Sequence, residues 1–222
     1  MFQLYDHLLR FQLFQGLSRN ELMQMAGTTK FGFMKEPAGR TIVKADDPCR
    51  QLLFLVGGQL SLTTRSADGA YSLTEQVAAP WQLQPEALFG HQPRFSGTWV
   101  TDNVCHFITL SKDEVLRLAD QFLIVRLNLL NMLSTLAQKR EARQWRRAPL
   151  TLQERFVRFL IHHALYPAGA KQLHILMTRL AQELGDSRLD VSRMLNQLQD
   201  EQKLQLRRGR IIVPSLEKLI NL

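Results

Sequence analysis

Along the segment Leu180–Gln199, apolar residues recur at the three- and four-residue spacing of a helix, both before and after Gly185. This spacing predicts two short helices, each with one buried face. The residues of those faces are Leu180, Ala181, Leu184, Val191, Leu195 and Leu198. Gly185 supplies the positive φ that ends a helix, and Ser187 with Asp190 predicts a capping box for the second helix. The pattern is typical of a helix-turn-helix, whose second helix enters a DNA major groove.

The second of these helices has a polar face with no core to fill, and we predict that this face reads DNA bases. Its residues are Arg188, Leu189, Ser192, Arg193 and Asn196. Further on, two short apolar runs flank an arginine-rich turn, which predicts the hairpin wing of a winged helix. The wing arginines are Arg207, Arg208 and Arg210. They suit DNA phosphates, and phosphate contact is also the alternative role for Arg188 and Arg193.

The first 110 residues carry two different patterns. Up to Ala26 the apolar spacing is helical, with a capping box at Ser18 and Glu21. From Lys30 to Leu110, short apolar runs are separated by turn residues at roughly ten-residue intervals, which predicts a β-sandwich or barrel of jelly-roll type. The predicted strands are Phe31–Phe33, Arg40–Lys44, Leu52–Val56, Gln59–Thr63, Leu73–Val77 and His106–Leu110.

A long helix is predicted from Ser111 to about Trp145, with one interruption near Asp120, and it carries two adjacent apolar stripes. The first stripe alternates steps of three and four residues, the heptad pattern of paired helices, so we assign it to a dimer interface. It comprises Phe122, Val125, Leu129, Met132 and Leu136. The second stripe, assigned to the barrel, comprises Leu123, Leu127, Leu130 and Ala137. The alternative is a helix that is simply buried within a monomer.

Ala148-Pro149 ends the long helix, because proline cannot continue one. The predicted organisation is α+β: residues 1–110 form a barrel with N-terminal helices, 111–147 a dimerisation helix and hinge, and 148–222 a winged helix-turn-helix domain. The net charge of +8 is uneven. Residues 1–110 hold nine basic and nine acidic residues, whereas 111–222 hold nineteen and eleven. The whole excess therefore lies in the half predicted to meet DNA.

Composition excludes several classes of protein. The hydrophobic fraction is 45%, no apolar run approaches the ~20 residues of a membrane span, and the first residues do not resemble a secretory signal. We therefore expect a cytoplasmic protein without a membrane partner. Cys49 and Cys105 are too few for a four-thiolate iron–sulfur site. The sequence has no nucleophile–base pair, phosphate loop or metal-spaced cluster, so we expect no enzyme, no metal and no cofactor.

Five fragments, in this order and spacing, resemble the Crp/Fnr family of bacterial transcription regulators, the relatives of the cyclic-AMP receptor protein. They are Leu13-Phe14-Gln15-Gly16-Leu17-Ser18 with Glu21-Leu22, Gly39-Arg40-Thr41-Ile42, Leu53-Phe54-Leu55-Val56-Gly57-Gly58, Glu86-Ala87-Leu88-Phe89 and Ser187-Arg188-Leu189-Asp190-Val191-Ser192-Arg193. The resemblance implies a double-stranded β-helix of the cyclic-nucleotide-binding type, a long dimerisation helix and a C-terminal reading head. It also implies a homodimer on a near-palindromic operator, with RNA polymerase and a small-molecule effector as partners.

The chain departs from the family at its effector pocket and its reading head. Family members that bind cyclic nucleotides carry Gly-Glu and then Arg-Ser/Thr-Ala, with the arginine on the cyclic phosphate. Here Glu86 follows a proline, and Phe95 occupies the arginine position, leaving Arg94 and Ser96 beside it. We take Glu86, Arg94 and Ser96 as the candidate effector residues and predict no control by cyclic AMP, since phenylalanine cannot pair with a phosphate. Leu189 replaces a polar reader, so the DNA target should differ as well.

Two alternatives to this function stay open. The chain could be a haem- or other small-molecule-sensing regulator of the same fold, with His91 or His106 as an axial ligand. It could also be a ligand-binding module without specific DNA binding, which an absence of salt-dependent DNA retention would indicate.

Overall fold

The computed structural model describes residues 2–145 and 147–220, which fold into two compact units. The first unit contains residues 2–60 together with Ala78–Trp145. The second contains Ser61–Val77 and residues 147–220. The segment Ser61–Val77, which the sequence analysis placed in the barrel, therefore folds with the C-terminal unit. No helix within the described ranges is long and apolar enough to cross a membrane.

The chain forms eleven strands and eight α-helices within the described residues. The strands are β1 (Gly32–Glu36), β2 (Thr41–Val43), β3 (Gln51–Gly57), β4 (Gln59–Arg65), β5 (Tyr71–Ala78), β6 (Trp81–Leu83), β7 (Thr98–Thr101), β8 (Cys105–Ser111), β9 (Lys171–Ile175), β10 (Gln205–Arg207) and β11 (Arg210–Val213). The helices are α1 (Phe2–Leu8), α2 (Arg19–Thr28), α3 (Lys112–Gln121), α4 (Leu123–Gln144), α5 (Leu152–His163), α6 (Met177–Leu184), α7 (Arg188–Asp200) and α8 (Leu216–Ile220). Short 3-10 helices span Gln12–Phe14 and Pro85–Ala87.

The first unit is built around an antiparallel sheet with strand order β1-β8-β3-β6, beside which β2 pairs with β7. The N-terminal helical segment covers one face of this sheet, where the rings of Phe11 and Phe14 lie 4.9 and 5.5 Å from that of Phe54. Ser18 and Glu21 form the predicted capping box at the start of α2. Both cysteines are buried free thiols. The β-rich N-terminal domain that the sequence predicts is confirmed.

The long helical region corrects the prediction for the dimer interface. It breaks at Phe122, close to the predicted interruption, and continues as α4. The stripe assigned to the interface is instead buried within this chain, with Phe122, Val125, Leu129 and Met132 no more than 8% exposed and Leu136 half-buried. The second stripe is the exposed one, with Leu123, Leu127 and Leu130 at 62%, 44% and 54%.

The prediction exposed the wrong stripe of α4. Both stripes have heptad spacing, and spacing alone does not say which one packs against the rest of the chain. The N-terminal segment decides it. Asn128 of α4 donates to the carbonyl oxygens of Leu13 and Gln15 at 3.2 and 2.7 Å. These bonds hold the helix against the 3-10 turn with the stripe of Val125 and Leu129 inward.

The second unit packs α5–α8 on one face of a sheet with strand order β10-β11-β9-β5-β4. Thr151 and Glu154 form a capping box that starts α5. The core is contributed by all the helices and by the inward-facing strand residues Leu73, Leu173, Ile211 and Val213. The hairpin of β4 and β5 thus supplies two of the five strands on which the helix-turn-helix is supported.

Candidate nucleic-acid interface

The helix-turn-helix is formed by α6, a turn and α7. Gly185 ends α6 in the left-handed region at φ 63°, where a side chain would be strained. Ser187 starts α7, its hydroxyl oxygen accepting a hydrogen bond from the backbone N–H of Asp190 at 3.1 Å. Arg155 of α5 holds the turn through an ion pair of 2.5 Å with Asp186. The turn that leads into α7 is therefore held in place by α5.

The cap at Ser187 differs in one detail from the predicted capping box. A full box needs the Asp190 carboxylate to accept from the Ser187 backbone N–H. Here that carboxylate accepts from the Ser187 hydroxyl at 2.6 Å, and the Ser187 N–H donates to Asp186 instead, at 2.8 Å. The aspartate side chain is shorter than the glutamate usual at this position, and Asp186 is a closer acceptor.

The predicted base-reading residues share the outward side of α7. Val191, Leu195 and Leu198 are fully buried on the opposite side, while Arg188, Leu189, Arg193 and Asn196 are exposed and Ser192 is partly so. Leu189 is 59% exposed, a large apolar side chain with no core to enter. Arg193 makes an ion pair of 3.3 Å with Asp190, one turn earlier. The outward side of α7 thus presents two guanidinium groups and one large apolar side chain.

The wing is the hairpin of β10 and β11, closed by Arg208 and Gly209. Arg207 and Arg210 face each other across this hairpin, and all three wing arginines are exposed. The backbone N–H of Leu206 donates a hydrogen bond of 2.7 Å to the side-chain oxygen of Gln199, which connects the hairpin to α7. The wing and α7 are thus directly connected.

A groove of about 310 Å³ lies between the wing and the helix-turn-helix. It is lined by Arg188, Arg207, Arg210 and the first residues of α6, including Thr178. Three guanidinium groups around one cleft, next to a helix N-terminus, suit a phosphate group. Arg188 therefore lies beside the wing arginines, in the position that its alternative, phosphate-binding role would need, whereas Arg193 does not line this groove.

Comparison with known proteins agrees with this geometry. Residues 154–222 match the family described as the Crp-like helix-turn-helix domain. This segment is a Crp-like helix-turn-helix domain. The Crp/Fnr resemblance of the sequence is thereby confirmed for this segment, and the whole chain has the fold of a solved catabolite activator protein.

Solved structures resemble the chain in fold. The Thermus thermophilus catabolite activator protein is 21% identical, with a TM-score of 0.51 over 95% of this chain and 97% of that one. The sensor domain of the transcriptional regulator DNR from Pseudomonas aeruginosa is 18% identical, with a TM-score of 0.52 over 66% of this chain and 94% of that domain. The N-terminal domain of a transcriptional regulator from Streptomyces coelicolor A3(2) is 16% identical, with a TM-score of 0.52 over 65% and 99%. No curated protein sequence matches the chain significantly.

The three candidate effector residues of the Crp-type barrel each have a separate partner. Glu86 makes an ion pair of 3.4 Å with Arg140 of α4. Arg94 donates to the carbonyl oxygen of Asp46 at 2.6 Å, and the Ser96 hydroxyl oxygen accepts from the Gln84 amide at 2.6 Å. None of the hydrogen bonds and ion pairs found among the described residues joins two of the three. Phe95, in the position of the family arginine, is buried.

Gln84 is a residue of this barrel that the sequence analysis did not single out. It is buried in the left-handed region at φ 33°, and its amide bridges Ser96 and the indole N–H of Trp99, which lies 3.3 Å away. Trp99 is fully buried. The proline that follows Gln84 favours an extended backbone at the preceding residue, so it gave no signal for the left-handed conformation observed.

Proposed function

We propose that the chain is a homodimeric, sequence-specific regulator of transcription that binds a near-palindromic operator in the cytoplasm. The observation that carries this proposal is the joint placement of an outward reading face on α7 and a three-arginine groove beside the wing. Guanidinium groups recognise guanine edges in the major groove and phosphates along the backbone. One surface thus combines the two kinds of contact that specific DNA binding needs.

The exposed stripe of α4 supports the homodimer. Leu123, Leu127 and Leu130 lie on one helix face at heptad spacing, and a second copy of the same helix would cover them. Two reading heads related by a twofold axis would meet half-sites about one DNA turn apart, ~34 Å. The operator of such a dimer reads as an inverted repeat, and RNA polymerase is the expected protein partner on that DNA.

The effector of this regulator is proposed not to be cyclic AMP. Phe95 offers no charge to a cyclic phosphate, and the Arg94 guanidinium is already engaged with Asp46. Another small molecule would act by shifting the population of dimers between DNA-competent and incompetent forms. Calorimetric titration with cyclic AMP should give no binding heat, and binding in the micromolar range would contradict this part of the proposal.

Titration of duplex DNA with the purified protein tests the DNA-binding function. Affinity should fall steeply as salt rises from about 50 to about 200 mM, because bound phosphates release counterions. Arg208→Ala should weaken binding to all sequences about equally, while Arg40→Ala, an exposed arginine of the first unit, should leave it unchanged. Retention of DNA that does not depend on salt would contradict the proposal.

A haem-sensing regulator of the same fold is the second candidate. His106 and His7 line one groove of about 680 Å³ on the first unit, and the buried Nδ1 of His7 has no hydrogen-bond partner within the described part of the chain. An imidazole nitrogen is a common axial ligand of haem iron. The absorption spectrum of the protein, before and after addition of haemin, separates this candidate from an effector without iron.

A further inference from the structure

The sheet of the second unit places its exposed strand arginines in a single row. Arg207 pairs with Arg210, Arg210 with His174, and His174 with Ser72, across four neighbouring strands. The fifth strand continues the row. The Ser66 N–H donates to the carbonyl of Tyr71, and the hydroxyls of Thr63 and Thr74 lie 2.9 Å apart. These two contacts set Arg65 opposite Ser72.

Residues directly opposite each other in antiparallel strands point to the same face of a sheet. The flanking positions Leu73, Leu173 and Ile211 point to the other face and are buried in the core. The row from Arg207 to Arg65 therefore lies on the outer face. Its four strand spacings of ~4.8 Å give a length of ~19 Å, with exposed arginines at both ends.

Two grooves connect this row to the DNA-binding surface. The groove with Arg188, Arg207 and Arg210 also contains Ile175, Leu176 and Gly209. Those three residues line a second groove of about 250 Å³, whose far side is formed by Arg65 and the β4–β5 turn. The cleft that suits a phosphate at the wing thus continues without a break to the hairpin.

The hairpin is held firmly in this place. Glu75 of β5 and Lys171 of β9 form a fully buried ion pair of 3.4 Å, and the Tyr71 hydroxyl is 2.8 Å from Nε2 of His163. Asp68, the acidic residue of the turn, and Glu183 of α6 both make ion pairs of 2.8 Å with Arg179. Arg65 is the basic side chain of the hairpin, and it lines the second groove.

We propose that the β4–β5 hairpin is a second backbone-contacting element and that Arg65 binds a phosphate of the same DNA duplex as the wing. This inference rests on the proposed DNA binding. It extends the contacted surface beyond the helix-turn-helix and wing to a segment that lies, in sequence, in the middle of the sensor barrel. The hairpin thereby gives the barrel a direct covalent connection to the DNA-binding surface, separate from the long helix.

Binding of duplex DNA by Arg65→Ala, measured as a function of salt, tests this proposal. The affinity should fall about three- to tenfold per half-site for every sequence. The slope of log K against log salt should decrease by about 0.9 for each protomer's phosphate contact, or about 1.8 for the homodimer. Arg65→Lys should retain most of the affinity. Arg40→Ala is the matched control, and unchanged thermal unfolding of Arg65→Ala would show that the exposed substitution leaves the fold intact.

Footprinting with hydroxyl radicals adds a second readout. Loss of Arg65 should shorten the protected segment at its edge, whereas loss of Arg208 should weaken protection beside the wing. If Arg208→Ala loses affinity and Arg65→Ala binds like the wild type, or more tightly, the hairpin proposal is overturned while the proposed function stands. If the wild-type protein shows no salt-dependent DNA binding, the proposed function itself fails.

Discussion

Glu75 and Lys171 form an ion pair in which both side chains are fully buried, 3.4 Å apart. The Glu75 carboxylate also accepts from the backbone N–H groups of Leu165 and Tyr166, and the Lys171 ammonium donates to the carbonyl of Ala168. Burial raises the pKa of Glu75 and lowers the pKa of Lys171, and the attraction between the two charges opposes both shifts. The pair joins β5 to β9 and fixes the register of the basic row.

Lys171→Met should destabilise the protein by about 3–5 kcal/mol, because it leaves the Glu75 carboxylate buried without its cation. Replacing both partners, as in Glu75→Leu with Lys171→Met, should cost less than the single change, since no unpaired charge remains. Urea unfolding of the three proteins measures the difference. A double variant less stable than Lys171→Met would show that packing, not the unpaired charge, sets the cost.

Arg193→Ala should weaken specific DNA binding by about 1–3 kcal/mol and relax the preference at one base pair of each half-site. The side chain extends from the exposed face of α7, steadied by its ion pair with Asp190. Competition between the selected operator and single-base variants of it provides the measurement. A variant that retained the full sequence preference would show that Arg193 contacts only the backbone.

Leu127→Asp combined with Leu130→Asp should convert a dimer to a monomer without unfolding it, since both side chains are exposed on α4 and an aspartate there would be buried by a partner helix. Sedimentation velocity reports the change. Leu116→Asp, at an equally exposed leucine of α3, is the control and should leave the dimer intact. A double variant that sedimented like the wild type would place the dimer interface elsewhere.

Stability of the second unit should fall in mild acid because of His174. Burial, and to a smaller extent the neighbouring Arg210, lowers the pKa of His174 below its ordinary value of 6.5. The contribution of the neutral imidazole is therefore present above pH 6.5 and is lost as the pH falls through the folded-state pKa. The free energy of unfolding in urea should fall less between about pH 7.5 and about pH 5 for His174→Gln than for the wild type. If His174→Gln lost as much stability between the two pH values as the wild type, the acid sensitivity would belong to other groups. His91→Gln, at an exposed histidine, is the control.

Local patterns predicted the elements of the reading head well. Gly185, the stripe of Val191, Leu195 and Leu198, and the arginine turn of the wing are each properties of a few neighbouring residues, and the structure places all of them as expected. Strands β6 and β7, three and four residues long, were missed. They lie in a stretch whose prolines and glycines indicate turns.

Long-range relationships could not be predicted in the same way. Which stripe of α4 faces the barrel depends on Asn128 reaching the N-terminal segment, more than a hundred residues away. The pairing of β5 with β9 likewise joins distant parts of the chain, with the buried Glu75 and Lys171 reading in sequence as ordinary surface charges. Arg65 consequently gave no sign of its place in the basic row.

The decisive measurement is the selection of bound fragments from random duplex DNA. We expect enrichment of an inverted repeat with half-sites about one helical turn apart, and a consensus distinct from that of the cyclic-AMP receptor protein. With Arg193→Ala, selection should be relaxed at one base pair of each half-site. Recovery of DNA without any shared sequence, or of a single half-site without its inverted partner, would contradict a dimeric, sequence-specific regulator.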